Sequence, residues 1–487
     1  MAFFTTTTTT TSTATSTTSF NLQPFFFFFK PSISSFSPIN GLANSASSSS
    51  SSSSTASYSR RWYNPIRRRT QSHYRSSLVR HWVEADPPIP SHQVCGPAFT
   101  HLSGPEVNDW ANLPCPEERF MVVSYNILGD RNASKHRDLY PNVPSIYMKW
   151  DHRKRIICEE LIGRNPDIIC LQEVDNYFDV LNIMQKAGYI GSYKRRTGDA
   201  VDGCAIFWKA DKFRLLEGES IEFKGYGLRD NVAQLCVFEM CKAESRRLVI
   251  GNIHVLYNPS RGDVKLGQIR SLSSKAHILS EKWGNVPVVL AGDYNITPQS
   301  AIYKFLSSSE LNIMLHDRRE MSGQRSCHPD QVFGNEQQTG NLLVLMDRFF
   351  NGCWTDEEVV VATGNAESQV VVHPLKLNSS YATVQGSTRT RGFDGEPLAT
   401  SYHSKFIGTV DYLWYSDGLV PTQVLDTLPI DVLQKTGGLP CKKLGSDHLA
   451  LVSEFAFTPI REDSVNNTAS AIISAANLSS EEEDSLV

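Results

Sequence analysis

The chain has 487 residues, a net charge of −4, 40% hydrophobic and 20% charged residues. These are globular values, and the charge alone selects no polyanionic partner. Phe25–Phe29 is far too short to span a bilayer, and the ten cysteines lack the paired spacing of a metal site, so they read as reduced thiols.

The averages hide an uneven chain. From Met1 to Val83 there is no Asp or Glu, against Lys30, Arg60, Arg61, Arg67, Arg68, Arg69, Arg75 and Arg80. Thr5–Thr11 and Ser47–Ser54 are low-complexity runs with almost nothing to bury. Residues 1–90 are therefore expected to be disordered, with the composition of a transit peptide for a chloroplast or a mitochondrion. The competing reading is a basic tail, Arg60–Arg80, that touches nucleic acid or an import factor and leaves the protein in nucleus and cytoplasm. Pro87-Pro88-Ile-Pro90 leads into a linker over 91–116, and 459–487 is an acidic, Ser/Asn/Ala-rich tail expected to be disordered. Residues 117–458 remain as the globular domain.

In that domain Phe120–Leu128 reads as a strand, and Trp150–Arg164 as a helix stopped by Asn165-Pro166. Asp167–Val174 is a buried strand with a carboxylate at its end, and Tyr177–Ala187 a helix closed by Gly188. Strands follow over Cys204–Trp208, Val232–Met240 and Leu248–Tyr257, then a long helix over Asp263–Trp283. Val286–Leu290 is a further buried strand, which Gly292 is expected to break. Asp293 and Asn295 then stand two residues apart, on the same side of an extended chain. Thr297 is expected to cap the next helix, with Pro298 at its first position. Residues 307–405 read as loop-rich, and Thr409–Tyr415 and Leu449–Phe457 as closing strands. Helices interleave with strands, but 232–240 and 248–257 are joined too tightly for a parallel crossover. The expected fold is mixed α/β (α+β): two mixed, largely antiparallel sheets packed as a sandwich and flanked by helices.

Asn126, Glu173, Asn252, His254, Asp293, Asn295, Asp411, Asp447 and His448 lie at or just beyond these strands. Singly, each is explained by a turn, a cap or a satisfied core side chain. Together, converging carboxylates would repel one another unless a divalent cation offset them. With no Cys/His tetrad and no His-Glu-x-x-His, oxygen ligands favour Mg²⁺ or Mn²⁺ over zinc.

Ser124-Tyr-Asn126, Leu171-Gln-Glu-Val174, Gly251-Asn-Ile-His254, Gly292-Asp-Tyr-Asn295, Val410-Asp-Tyr412 and Ser446-Asp-His448 resemble the ordered motif series of the endonuclease/exonuclease/phosphatase superfamily, whose fold is DNase I-like. Val201–Phe207, Asp263-Val-Lys-Leu266 and Gly438-Leu-Pro440 resemble the carbon catabolite repressor four type deadenylases and their Angel and nocturnin relatives. The resemblance implies Glu173 as the principal Mg²⁺ ligand, Asn126 beside it and Asp447 near a second metal position. It implies Asp293 as the residue that orients or deprotonates water, and Asn295 as a group steadying the transition state. His448, held by Asp411, and His254 would contact the phosphate, and Asn252 is expected on the substrate side. Pro259 and Phe406 stand where the deadenylases sandwich an adenine. The family's Asn upstream of that Phe is replaced here by Ser401-Tyr-His403. The implied partner is RNA, with poly(A) 3′ ends as substrate in mRNA turnover. No leucine-rich repeat pattern precedes the domain to dock it on the large deadenylase complex. Two other functions stay open. One is a phosphatase acting on RNA 2′,3′-cyclic ends or a 2′-phosphorylated nucleotide; the other is an inactive RNA-binding scaffold.

Overall fold

A computed structural model describes residues 78–85, 118–334 and 354–459. The transit-peptide and basic-tail readings up to residue 77, the linker 91–116, and all but the first residue of the acidic tail lie outside the described residues.

Among the described residues a seven-stranded sheet runs, in spatial order, Trp82–Glu84, Leu419–Leu425, Leu451–Phe457, Arg119–Asn126, Ile168–Gln172, Gly203–Lys209 and Tyr189–Arg195. A six-stranded sheet runs Asn378–Ser379, Asp411–Tyr415, Val288–Asp293, Ala243–His254, Val232–Met240 and Phe213–Glu222. Each sheet holds one parallel pair whose connection includes a long helix. Arg119–Asn126 pairs parallel with Ile168–Gln172 across the helix Trp150–Arg164, and Ala243–His254 with Val288–Asp293 across Gly262–Lys282. The other pairings in the two sheets are antiparallel. The fold is a two-sheet sandwich of the DNase I-like class.

Strand alternation builds it. Val122, Ile168, Cys170, Ile206, Leu248, Ile250, Val289, Ala291 and Leu413 share one buried cluster between the sheets. Their neighbours point outward. Val123, Ile169 and Phe207 pack with Ile157, Leu161 and Val180 of the helices over the first sheet. Val249, Val288 and Leu290 pack with Ile269, Leu272 and Ala276 of the helix over the second. Each such side chain contributes about 1.5–3 kcal/mol on burial, which holds these helices against their sheets.

Several expectations need correction. Residues 1–90 are not uniformly without structure: Trp82–Glu84 forms an edge strand on Leu419–Leu425. Arg80 anchors it, donating from a buried guanidinium to the carbonyls of Leu425, Asp426 and Ala450. Gly292 does not break its strand, which runs on to Asp293. A Cβ at Gly292 would stand 2.2 Å from the Ile253 carbonyl oxygen, so glycine lets the two strands stay paired. Asn295 is not extended but left-handed, with φ 52°. The helix cap is Ser300, whose side chain accepts from the Tyr303 amide, and the helix covers Ala301–Ser308. Thr297 instead gives its amide to the Ser322 carbonyl. Among the described residues of the 307–405 region the elements are mostly short, with the eight-residue helix Asp356–Thr363 opened by a capping box from Thr355 and Glu358.

Candidate active site

The same alternation that fills the sandwich also ends it in polar groups. Following the inner face of each strand outward, Val122 leads to Ser124 and Asn126, Cys170 to Gln172, Ile250 to Asn252 and His254, and Ala291 to Asp293. Register aligns them. Asp293 stands opposite His254 on one side and Asp411 on the other, and Asn126 stands opposite Gln172 in the facing sheet.

Glu173 follows Gln172, so strict alternation would turn it outward. Its φ of 56° breaks the alternation. A non-glycine residue in this region is strained by roughly 1–3 kcal/mol, which the surrounding contacts must offset. The carboxylate accepts from Asn126 Nδ2 at 3.1 Å, Asn132 Nδ2 at 2.8 Å and the Gly129 amide at 3.1 Å. Burial pushes this carboxyl up, but the His254 ring, the two amide side chains and the His448 ring outweigh it, holding Glu173 below its ordinary value.

Asn126 enters the cluster as a donor. Its Nδ2 bridges Glu173 Oε1 and, at 3.0 Å, Asp293 Oδ2 across the two sheets, while its Oδ1 accepts the Leu128 amide. That backbone N–H can only donate, so it fixes the amide's orientation and turns the oxygen, the implied metal ligand, away from the carboxylates. Asp293 divides its oxygens. Oδ1 accepts the Asn295 amide at 2.9 Å, and Oδ2 faces the cluster, 3.5 Å from His254 Nε2 and 3.9 Å from His448 Nε2.

His448 Nδ1 lies 2.8 Å from Asp411 Oδ2. The carboxylate can only accept, so Nδ1 carries a proton and Nε2 faces Asp293. Burial lowers the His448 pKa, but Asp411, Asp447 and Asp293 together hold it well above the ordinary imidazole value. Thr400 Oγ1 donates to the same Asp411 oxygen at 2.6 Å. Ser446 Oγ donates to the Asn126 carbonyl and accepts the His448 amide, tying the Asp447-His448 segment to the neighbouring strand. Asp447 accepts the Tyr140 hydroxyl at 2.8 Å.

The side chains suit a hard divalent cation. Asp411 Oδ1 is buried without a hydrogen-bond partner, and ligating atoms of Asp293, Asp411 and His448 lie within 4.8 Å of one another, all buried. The Asp411–His448 bond already occupies His448 Nδ1 and one Asp411 oxygen. Glu173, whose oxygens are bonded by neutral amide donors, is the better anchor for an ion.

The structure thus gathers Asn126, Glu173, His254, Asp293, Asp411, Asp447 and His448 at one end of the sandwich. Asn295 is adjacent but spends its side chain locally: Nδ2 donates to the Val255 carbonyl and Oδ1 accepts from Gln324 Nε2. Asn252 does not belong to a substrate surface. It is fully buried, donates to the Leu171 and Ala205 carbonyls and accepts Gln172 Nε2, so every polar atom of its side chain is used in pinning the two sheets together. Pro259 and Phe406 are both partly exposed. Phe406 sits on the hairpin of Ser401–His403 and Phe406–Gly408, its ring 6.0 Å from His403. Lys265 Nζ donates to the carbonyls of both Tyr257 and Asn295, which sets the Pro259 loop beside the Asp293 turn, and a bridge between Ser401 and His448 sets the hairpin beside the same cluster. Tyr140, Asn132, Thr400 and Gln324 are not legible as site residues in the sequence, since each lies outside a strand-end motif. Lys265 stands in a motif, but one that carries no role there.

Residues 123–448 match the endonuclease/exonuclease/phosphatase family, and the chain belongs to it. Within that family it is similar to carbon catabolite repressor protein 4 homolog 3 of Arabidopsis thaliana, 59% identical over 83% of this chain and 85% of the relative. It is 27% identical to the CCR4-Not complex 3′-5′-exoribonuclease subunit Ccr4 of Mycosarcoma maydis, over 82% of this chain and 58% of that one. The crystal structure of ANGEL2, a 2′,3′-cyclic phosphatase, in complex with adenosine-2′,3′-vanadate superposes with a TM-score of 0.57 at 28% identity, covering 70% of this chain and 96% of that one. Among the described residues no helix is long and apolar enough to cross a membrane.

Proposed function

We propose that the chain is a Mg²⁺-dependent 3′-to-5′ exoribonuclease of the deadenylase type, releasing 5′-AMP from RNA 3′ ends. The observation that carries it is the meeting of Glu173, the Asp411–His448 pair, Asp293 and His254 at one mouth beside Phe406. Similarity to a 3′-5′-exoribonuclease subunit supports the reaction type.

Asp293 Oδ2 is the atom that takes a proton from the attacking water, because it faces His254 and His448 while Oδ1 is turned to the Asn295 amide. His448, protonated at both nitrogens, donates from Nε2 to a non-bridging phosphate oxygen, and Asp411 keeps the ring oriented and charged. His254 Nε2 adds a second donor from the neighbouring strand. A divalent cation anchored by Glu173 supplies positive charge at the phosphate when bound. Phe406 and Pro259 hold the terminal base, a stack worth about 1–3 kcal/mol.

A second reading, a 2′,3′-cyclic phosphatase, draws on the ANGEL2 likeness and on Ser401-Tyr-His403 in place of the deadenylase Asn. The test uses 5′-labelled RNA ending in oligo(A), matched oligo(U) and a 2′,3′-cyclic-ended RNA, with Mg²⁺, for wild type and Asp293→Ala. A ladder shortening from the oligo(A) 3′ end, absent in the variant, is expected. Loss of the cyclic phosphate without shortening would select the second reading. For the address, residues 1–90 fused to a fluorescent protein are expected to reach a chloroplast or mitochondrion; a diffuse signal would remove that part of the proposal.

A further inference from the structure

Asp263-Val-Lys-Leu266 is a motif that the proposed chemistry leaves without work. It lies at the start of the helix Gly262–Lys282, and its Lys265 is fully buried. An ammonium has three donors, and here each has an acceptor: the Asn295 carbonyl at 2.7 Å, Gln324 Oε1 at 2.8 Å and the Tyr257 carbonyl at 3.2 Å. Gln324 returns its Nε2 to Asn295 Oδ1 at 3.1 Å. Asn295 is left-handed, and its amide in turn holds Asp293 Oδ1.

Burial pushes the Lys265 pKa well down and the Asp293 carboxylate pushes it partly back up, so an ammonium is a costly way to fill a helix–sheet interface, where Leu or Met would pack without desolvation. What only a cation of this length provides is simultaneous reach to two chain segments that have left their strands. One is the turn after Asp293. The other is the loop from Tyr257 to Pro259, which borders the mouth. Both present carbonyls that no strand pairing satisfies.

We propose that Lys265, seconded by Gln324, is a positioning residue that locks the Asp293–Asn295 turn and couples it to the substrate loop at Tyr257–Pro259. This rests on the reading that the Asp293 turn is catalytic. Lys265 touches no reacting atom. Its effect passes through Asn295, whose displacement by about 1 Å would carry the Asp293 carboxylate off line and cost on the order of 10²-fold in rate.

The test compares Lys265→Met, Gln324→Ala, Gln324→Glu and Asp293→Ala, using whichever of the RNAs above the wild type turns over. Lys265→Met is expected to lower kcat about 10²-fold with a smaller change in KM. Gln324→Glu keeps an acceptor for Lys265 but removes the donor to Asn295 Oδ1. It should therefore recover thermal stability relative to Gln324→Ala without recovering kcat. A merely structural role would let both recover, and would make the Lys265→Met loss vanish per folded molecule; either result overturns the inference. Amide exchange needs no substrate. Lys265→Met should speed exchange at 295–297 and 257–260 together while the sheet centres stay protected, and unchanged exchange there would overturn the inference as well. Activity retained by Asp293→Ala would instead overturn the site reading, leaving exchange to decide the coupling.

Discussion

The turn at Asp293–Thr297 and the hairpin spanning Ser401–Gly408 border the same mouth and are held in opposite ways. The turn is fixed from inside. Lys265, Gln324, Val255 and Ser322 bond its backbone and side chains, and Asp293 and Asn295 are buried. The hairpin is buried at its base, where the Thr400 amide meets the Gly408 carbonyl, but its tip rests on the surface. There Lys405 pairs with Asp138, both more than half exposed, and the Ser404 amide meets the Leu139 carbonyl. Buried hydrogen bonds fix a geometry tightly, whereas exposed ion pairs are weak and screened. On the proposed function, reaction chemistry sits on the rigid turn, and base recognition on the element that can yield.

This contrast grades the expected effects. Breaking the rigid side costs most: Asp293→Ala should lower kcat by about 10³-fold, and a chelator should abolish turnover until Mg²⁺ is restored. Activity that survives both would remove the proposed chemistry. On the yielding side, Phe406→Ala should act on KM, by roughly 5- to 150-fold for a lost stack of about 1–3 kcal/mol, with kcat nearly kept. A kcat loss as large as that of Asp293→Ala would show that the hairpin is part of the chemistry after all. Lys405→Ala sharpens the contrast further, since an exposed pair predicts less than about a twofold change in KM.

Behind the mouth the expected effects fall on stability. A chain starting at residue 86 should melt several degrees below one starting at residue 78, because it lacks the three carbonyl bonds of Arg80 and the edge strand. Equal midpoints would make the strap dispensable. Glu396 gives the smallest effect. Burial pushes its carboxyl from the ordinary 4.5 up to about 7, beside the Tyr303 hydroxyl that donates to it. The folded state keeps a proton that the unfolded chain releases. This contribution is therefore complete below about pH 4.5 and is lost as pH rises through about 7. Glu396→Gln should flatten that decline in thermal midpoint; an unchanged slope would assign it to other groups.

Strands and helices with a strong period are legible in the sequence. Trp150–Arg164 has the bounds its pattern predicts, and Val232–Met240 likewise. Phe213–Glu222 and Tyr189–Arg195 escape such a reading, because their exposed, charged positions weaken the apolar pattern that marks a strand. The edge strand at Trp82 is hidden in a segment whose composition is that of a disordered leader. It forms because a partner edge, Leu419–Leu425, offers unpaired backbone groups, which no local signal reports.

At the site, the sequence by itself determined which groups meet: motifs at strand ends, at a period of two, put Asp293, His254, Asp411 and Asn126 on inner faces. It could not separate Asn252 from His254, two residues apart on one face. Depth in the sandwich made that separation, since Asn252 lies where two neighbouring strands of the facing sheet leave the Leu171 and Ala205 carbonyls to satisfy, and His254 lies past them at the mouth. Nor could it supply the left-handed turns at Glu173 and Asn295, or the reach of Lys265 between two loops. Those depend on hydrogen bonds between residues 8 to 59 positions apart in the chain, such as Lys265 with Tyr257 and with Gln324, and only the packed structure brings such partners within bonding distance.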